Sequence, residues 1–164
     1  MTTSRGIVRR NLEEISEKIS SLSVAELAYA AGLFDGEGCV ATYTKKNRVQ
    51  FSYAANIANT DYRVLAWLLD KFGGKVTKRG GVRASNQRHK ECYVWYVMNG
   101  RAAAFMAAVR PYTVIKSEQI DLALELRTTC RFDLRGQVIP PDVLERRRDI
   151  MQRIKAKKRA VYGS

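Results

Sequence analysis

The stretch from Ser23 to Ala58 constrains this chain most, because it reads first as a helix of small residues and then, with almost no spacer, as paired strands. Ser23 opens the run Ser-Val-Ala-Glu, a capping box in which the serine side chain accepts from the Glu26 amide while the Glu26 carboxylate reaches back, so a helix starts there. The helix continues through AELAYAAGLF and is expected to end at Asp35-Gly36-Glu37-Gly38, where paired glycines lower helix propensity and let the backbone turn. Ala28, Ala31, Gly32 and Asp35 fall at i, i+3, i+4 and i+7, one stripe of small side chains against which a second helix could pack closely. An ordinary buried helix within one chain would carry the same stripe, and the spacing alone leaves both readings open. The period then changes. Cys39–Thr44 and Arg48–Ala58 read as strands joined by the polar tip Lys45-Lys46-Asn47, with Val49, Phe51, Tyr53, Ala55 and Ile57 alternating against Arg48, Gln50, Ser52, Ala54 and Asn56.

The remaining elements follow the same logic. Thr60 or Asp61 caps a helix with Leu65, Leu68, Leu69 and Phe72 on one side, which Gly73-Gly74 ends. Lys75–Arg79 and Cys92–Met98 read as strands on either side of a basic loop, and residues 101–110 and Ser117–Arg127 as helices. Strands in antiparallel pairs with helices collecting on one face predict an α+β domain whose other sheet face meets solvent or a ligand. That open face carries Tyr43, Lys45, Arg48, Gln50, Ser52 and Asn56 in the first hairpin and Lys75, Thr77 and Arg79 in the second; Cys92–Met98 is apolar on both parities and shows no preferred side. An amphipathic helix over 4–21 precedes this core as an added arm, and a Gly/Pro-bearing connector leads to a basic helix over Asp142–Arg159. The divisions are therefore 1–22, an N-terminal helical extension; 23–128, the core; and 129–164, connector and basic C-terminal helix.

Charge narrows the partner. The 29 Lys+Arg against 16 Asp+Glu leave +13, beyond what solubility needs, and call for a polyanion. No apolar run approaches the roughly 18 residues of a spanning helix and no secretory leader pattern opens the sequence, so nucleic acid is preferred to a membrane surface. Cys39, Cys92 and Cys130 are an odd, widely spaced set that suggests neither a disulfide framework nor a zinc site and fits a reducing intracellular compartment, cytoplasm, nucleoid or organelle matrix. His89 is the only histidine, so multi-histidine metal sites are excluded and any chemistry falls to carboxylates, lysine and metal.

The segment Ala30–Gly38, AAGLFDGEG, resembles the nine-residue signature of the LAGLIDADG homing endonucleases, matching it at Ala31, Gly32, Leu33, Asp35 and Gly38. The order of parts after it also looks like that family from about residue 24 to 127: a long hairpin, Ile57-Ala58-Asn59-Thr60-Asp61 leading a helix, Gly-Gly, two strands, then Arg110-Pro111-Tyr112 and Lys116-Ser117-Glu118-Gln119. The resemblance implies an αββαββα core with a four-stranded antiparallel saddle sheet and helices on one face. With a single motif, it implies a homodimer whose motif helices pack through Ala28, Ala31, Gly32 and Asp35. It further implies a Mg²⁺-dependent endonuclease that binds a long double-stranded DNA site and cuts both strands, of the kind encoded in introns or inteins. Glu37 and the Gly36 carbonyl would then hold the metal, with Glu37, Lys116, Asn59 and Arg63 as the catalytic set. Asp35 is assigned structure before catalysis. Lys116 would stabilise phosphate charge or polarise the attacking water, Asn59 orient solvent and Arg63 hold phosphate.

DNA reading falls to the open face, where Arg and Lys suit guanine edges and Gln or Asn suit adenine, and Lys157 and Lys158 of the last helix suit phosphates. Two other functions compete. One is an intron RNA-binding maturase, which the basic C-terminal helix keeps open; the other is a catalytically inactive DNA-binding regulator, against which the presence of Glu37 and Lys116 argues.

Overall fold

A computed structural model describes residues 4–44, 51–79, 92–130 and 138–162. The elements are helices α1 (Ser4–Ser20) and α2 (Val24–Glu37), strands β1 (Gly38–Thr44) and β2 (Phe51–Asn59), α3 (Tyr62–Phe72), β3 (Lys75–Arg79), β4 (Cys92–Met98), α4 (Asn99–Val109), a short 3-10 turn (Arg110–Tyr112), α5 (Ser117–Thr129) and α6 (Pro141–Tyr162). The fold is α+β, with one antiparallel four-stranded sheet in the order β1-β2-β4-β3. From α2 to α5 the elements follow the order expected from the sequence. The expected β2 start at Arg48 lies outside the described residues, as do Lys45 and Gln50.

Local chemistry fixes the element ends. The Ser23 hydroxyl accepts from the Glu26 amide and the Glu26 carboxylate accepts from the Ser23 amide at 2.9 Å, completing the capping box of α2. These bonds, with Lys71 beside the carboxylate at 3.0 Å, hold the Glu26 pKa down to about 2. At the other end α2 passes directly into β1, and only glycine fits that junction, because a Cβ on Gly38 would lie 2.3 Å from the Phe34 ring and 2.4 Å from its carbonyl oxygen. Gly74 is similarly required: its φ is +97° and a Cβ would lie 2.6 Å from the Tyr96 carbonyl. Asp61, not Thr60, caps α3, accepting from the Arg63 amide at 2.9 Å.

One sheet face is covered by helices. Val40, Tyr53, Ala55, Ile57, Trp95 and Val97 project into a core with Phe34, Leu65, Leu68, Phe72, Phe105 and Met106 from α2, α3 and α4. Phe105 is its centre, meeting Phe34, Phe72 and Trp95 edge-on at centroid distances of 5.4, 5.0 and 5.0 Å, the arrangement aromatic quadrupoles favour. The Trp95 indole N–H, which must be satisfied when buried, donates to the Gly73 carbonyl at 2.8 Å. The two flanking helices are also built in. Ile19 of α1 is buried in the core, and Leu12 and Ile15 lie against Gly100 and Gly73. Ile150, Met151 and Ile154 of α6 are buried as well. Arg147 of α6 is 3% exposed, donating to the Thr129 hydroxyl at 3.1 Å and to the Thr129 carbonyl, with its guanidinium 5.6 Å above the Phe51 ring.

Candidate active site and nucleic-acid interface

The junction of α2 and β1 is where the sequence-derived candidates converge. The Asp35 carboxylate accepts three backbone N–H groups from the turn before α5, those of Val114 (2.7 Å), Ile115 (3.2 Å) and Lys116 (3.0 Å). An acceptor-only carboxylate suits the orphan amides and positive end of a helix start. The reciprocal bond runs from the Lys116 ammonium to the Asp35 carbonyl in the last turn of α2. Asp35 and Lys116 thus tie the end of α2 to the start of α5. Lys116 is 1% exposed, and burial pushes its pKa below the ordinary lysine value, against the opposing fields of Asp35, Cys39 and Glu37.

Glu37 stands at the exposed end of this construction. It is the last residue of α2, and its carboxylate makes no hydrogen bond or ion pair among the described residues. Gly36 beside it is exposed, with nothing within 4 Å of its Cβ position, and the carbonyls of a final helical turn lack intrahelical partners. Among the described residues no group of three or more His, Cys, Asp or Glu side chains comes together, so one chain presents a single free carboxylate here and no closed metal site.

Asn59 and Arg63 lie at the same end of the sheet, because Ile57 of β2 pairs with Gly38 and β2 ends at Asn59. The Asn59 side-chain oxygen accepts from the Asp61 amide at 2.8 Å, which closes the turn before α3. Arg63 is exposed and forms a bidentate pair with Asp61, Nε to Oδ1 at 3.0 Å and Nη2 to Oδ2 at 2.6 Å. That guanidinium holds the Asp61 carboxyl at a pKa of about 2. Both residues therefore have local structural partners, while the Asn59 amide nitrogen has none among the described residues.

The small-residue stripe is displaced from the one the spacing suggested. Ala31 is fully buried in the chain's own core and Asp35 is committed to its own chain's amides, so neither is available to a second helix. The exposed small residues of α2 are Ala25, Ala28, Gly32 and Gly36, at i, i+3, i+7 and i+11. Gly32, like Gly36, has open space at its Cβ position. Bulky apolar side chains flank this strip: Tyr29, half exposed and edge-on to Trp67 at 5.0 Å, and Val114 and Ile115, which are 80% and 55% exposed.

Strand pairing identifies the face of the sheet away from the helices. In register across it lie Tyr43 and Ser52; Ala41, Ala54 and Met98; Cys39, Asn56, Tyr96 and Lys75; Ala58, Val94 and Thr77; and Cys92 with Arg79. Every described residue expected on the open face, Tyr43, Ser52, Asn56, Lys75, Thr77 and Arg79, is on it. Tyr96 and Met98 were missed, since both parities of β4 are apolar; opposition of Ile57 to the buried Trp95 settles the side. In the C-terminal helix Lys157 pairs with Glu118 and the Lys158 ammonium lies 2.8 Å from the Cys39 sulfur, so both have partners within the chain. The three cysteines are free thiols. Among the described residues no helix is long and apolar enough to cross a membrane.

No family model and no curated protein matches this sequence. Solved structures do match the fold. The homing endonuclease I-CvuI, in complex with its target in the presence of calcium, superposes with a TM-score of 0.62 at 16% identity over 81% of this chain and 82% of that one. A second I-CvuI structure, on the I-CreI target with magnesium and uncleaved DNA, gives 0.61 at 17%. The archaeal intron-encoded homing endonuclease I-Vdi141I, complexed with DNA, gives 0.61 at 15% over 80% and 83% of the two chains. The LAGLIDADG homing endonuclease I-GzeII, also with a DNA target, gives 0.55 at 14%, with the match spanning 76% of this chain and 43% of that one. The chain has the LAGLIDADG homing-endonuclease fold.

Proposed function

We propose that this protein is a homing endonuclease of the LAGLIDADG family, acting as a homodimer that binds a long double-stranded DNA site and hydrolyses one phosphodiester bond on each strand. The observation that carries the reading is the end of α2. A free carboxylate, Glu37, sits at the foot of an exposed glycine and alanine strip, beside an open sheet face with basic and amide side chains.

The strip supports a two-chain reading. Helices approach closely where side chains are small, and α2 leaves Ala28, Gly32 and Gly36 uncovered. Pairing there about a twofold would bring two Glu37 carboxylates together, supplying the second acidic group that a single chain lacks. Glu37 and the Gly36 carbonyl are hard oxygen donors of the kind that would hold Mg²⁺. A metal held there would provide an activated water and neutralise charge on the leaving oxygen.

The chain's other residues position this end. Asp35 and Lys116 fix the direction in which Glu37 leaves the helix, and the buried lysine places a positive charge behind it. Asn59, through its free amide nitrogen, orients solvent, and the remaining N–H groups of Arg63 contact phosphate. Asn56, Lys75 and Arg79 read base edges or phosphates from the sheet face, with Tyr43, Ser52 and Thr77 completing the surface. Incubating the purified chain with a plasmid library carrying a randomised insert tests this. Recovery of a class of long sites cut on both strands with Mg²⁺ and uncut with chelator is expected; no enriched cleavage at any site would overturn it.

A further inference from the structure

We propose that the flank of α6 turned away from α5 is a second contact surface for duplex DNA, on which Arg148, Lys155 and Arg159 hold backbone phosphates beyond the stretch covered by the open sheet face. The proposal rests on the DNA-binding reading above and assigns a surface that the reading does not use.

Helix α6 has three distinct sides. Its inward side carries the buried Arg147, Ile150, Met151 and Ile154. On the side toward α5, every cation has a counter-ion: Arg146 and Arg153 share Glu125 at 3.1 and 3.9 Å, Arg153 also meets Asp149 at 3.6 Å, and Lys157 pairs with Glu118. On the opposite side Arg148, Gln152, Lys155 and Arg159 recur at i, i+4, i+7 and i+11 and are all exposed. None of those three cations has an ion pair or hydrogen bond among the described residues. Among the described residues, the charges of one flank are thus neutralised within the fold and those of the other are not.

Position and chemistry identify the occupant. Lys158, on the inward side between Arg147 and Met151 in helical phase, reaches Cys39 of edge strand β1, whose pairing with Asn56 places it on the open sheet face. Helix α6 therefore touches edge strand β1 beside the face assigned to DNA, and the Arg148, Lys155 and Arg159 flank is the side of the helix turned away from α5 there. Arg148 and Arg159 are separated by eleven residues of helix, about 16 Å, which matches the rise of roughly five nucleotides along one strand. No large apolar residue stands in the row, so it lacks the apolar centre of a protein-docking patch. A polyanionic backbone is the ligand that such a row fits.

The test compares two charge-matched triple variants, Arg148→Gln with Lys155→Gln and Arg159→Gln, and Arg146→Gln with Arg153→Gln and Lys157→Gln. All six side chains are exposed. Binding of a labelled random-sequence 40-base-pair duplex is measured across a salt series. The first variant is expected to bind at least about tenfold more weakly near physiological salt and to flatten the slope of log K against log salt by about 2.7 per protomer, three phosphates at about 0.9 each. The second should change both much less. Equal effects of the two variants would show that only net charge matters and overturn the proposal. So would a loss confined to an RNA hairpin, which would make the flank an RNA surface. Failure of the wild-type chain itself to bind duplex DNA with a steep slope would instead sink the DNA reading, and this surface with it.

Discussion

Replacing Gly32 by leucine should act with opposite sign on the folded chain and on its self-association. Nothing lies within 4 Å of the Gly32 Cβ position, so a side chain there meets no atom of its own chain. Leucine is a far better helix former than glycine, and the isolated chain should gain about 0.8–1 kcal/mol. If α2 pairs with α2 through this strip, the same side chain is forced into a helix contact. Overpacking costs about 1–3 kcal/mol per insertion, and the twofold doubles it to about 2–6 kcal/mol, lowering the association constant by about 30-fold to 10⁴-fold. Ala31→Leu is the contrasting change: Ala31 is fully buried in the chain's own core, so its overpacking should destabilise the fold by about 1–3 kcal/mol at any protein concentration. Sedimentation equilibrium gives the association constants and urea unfolding of dilute protein the stabilities. A Gly32→Leu protein that associates like the wild type would refute the helix-pairing argument, as would a wild-type chain that stays monomeric at micromolar concentration.

Other predictions concern the α2–α5 tie and its pH dependence. Lys116→Met keeps the buried volume but removes the donor to the Asp35 carbonyl, so it should cost about 1–3 kcal/mol of stability while single-turnover cleavage by the folded protein falls at least about a hundredfold; a folded variant that cleaves at the wild-type rate would make Lys116 structural alone. Because burial lowers the Lys116 pKa, the folded chain releases that proton before the unfolded chain does near 10.5, and wild-type stability relative to Lys116→Met should climb as pH rises toward that value. Asp35→Ala leaves three amides without their acceptor and should cost about 1.5–3 kcal/mol in thermal or urea unfolding; a cost under about 0.5 kcal/mol would mean that water replaces the carboxylate freely. Glu26 has its pKa lowered from 4.5 to about 2, so its contribution is present above 4.5 and lost as pH falls toward 2. Glu26→Gln should flatten the acid limb of a stability profile in that window, and an unchanged limb would contradict the capping-box account.

Much of this arrangement was legible in the sequence because it is local. The capping box at Ser23, the alternation through β2 and the Gly-Gly stop after Phe72 each depend on neighbours within a few residues, and each reappears in the structure. What was illegible depends on contacts distant in sequence. Small or apolar residues surround α2 on most sides, so spacing did not distinguish the strip with Ala25 and Gly36 from one that includes the buried Ala31. The bonds from Asp35 to the 114–116 turn span about eighty positions and leave no periodic trace. The side of β4 followed only from its register with β2, and the division of α6 into paired and unpaired flanks only from where α5 places Glu118 and Glu125.

Glu37 is assigned the chemistry and the sheet face the binding, and one comparison separates the two roles. Once a cleavable site has been selected, wild type and Glu37→Gln are assayed on that duplex with Mg²⁺, measuring complex formation by band shift and both strands by denaturing gel. That division of roles requires Glu37→Gln to bind the site within a few fold of wild type and to leave both strands intact. Cleavage at the wild-type rate by the purified variant would contradict it.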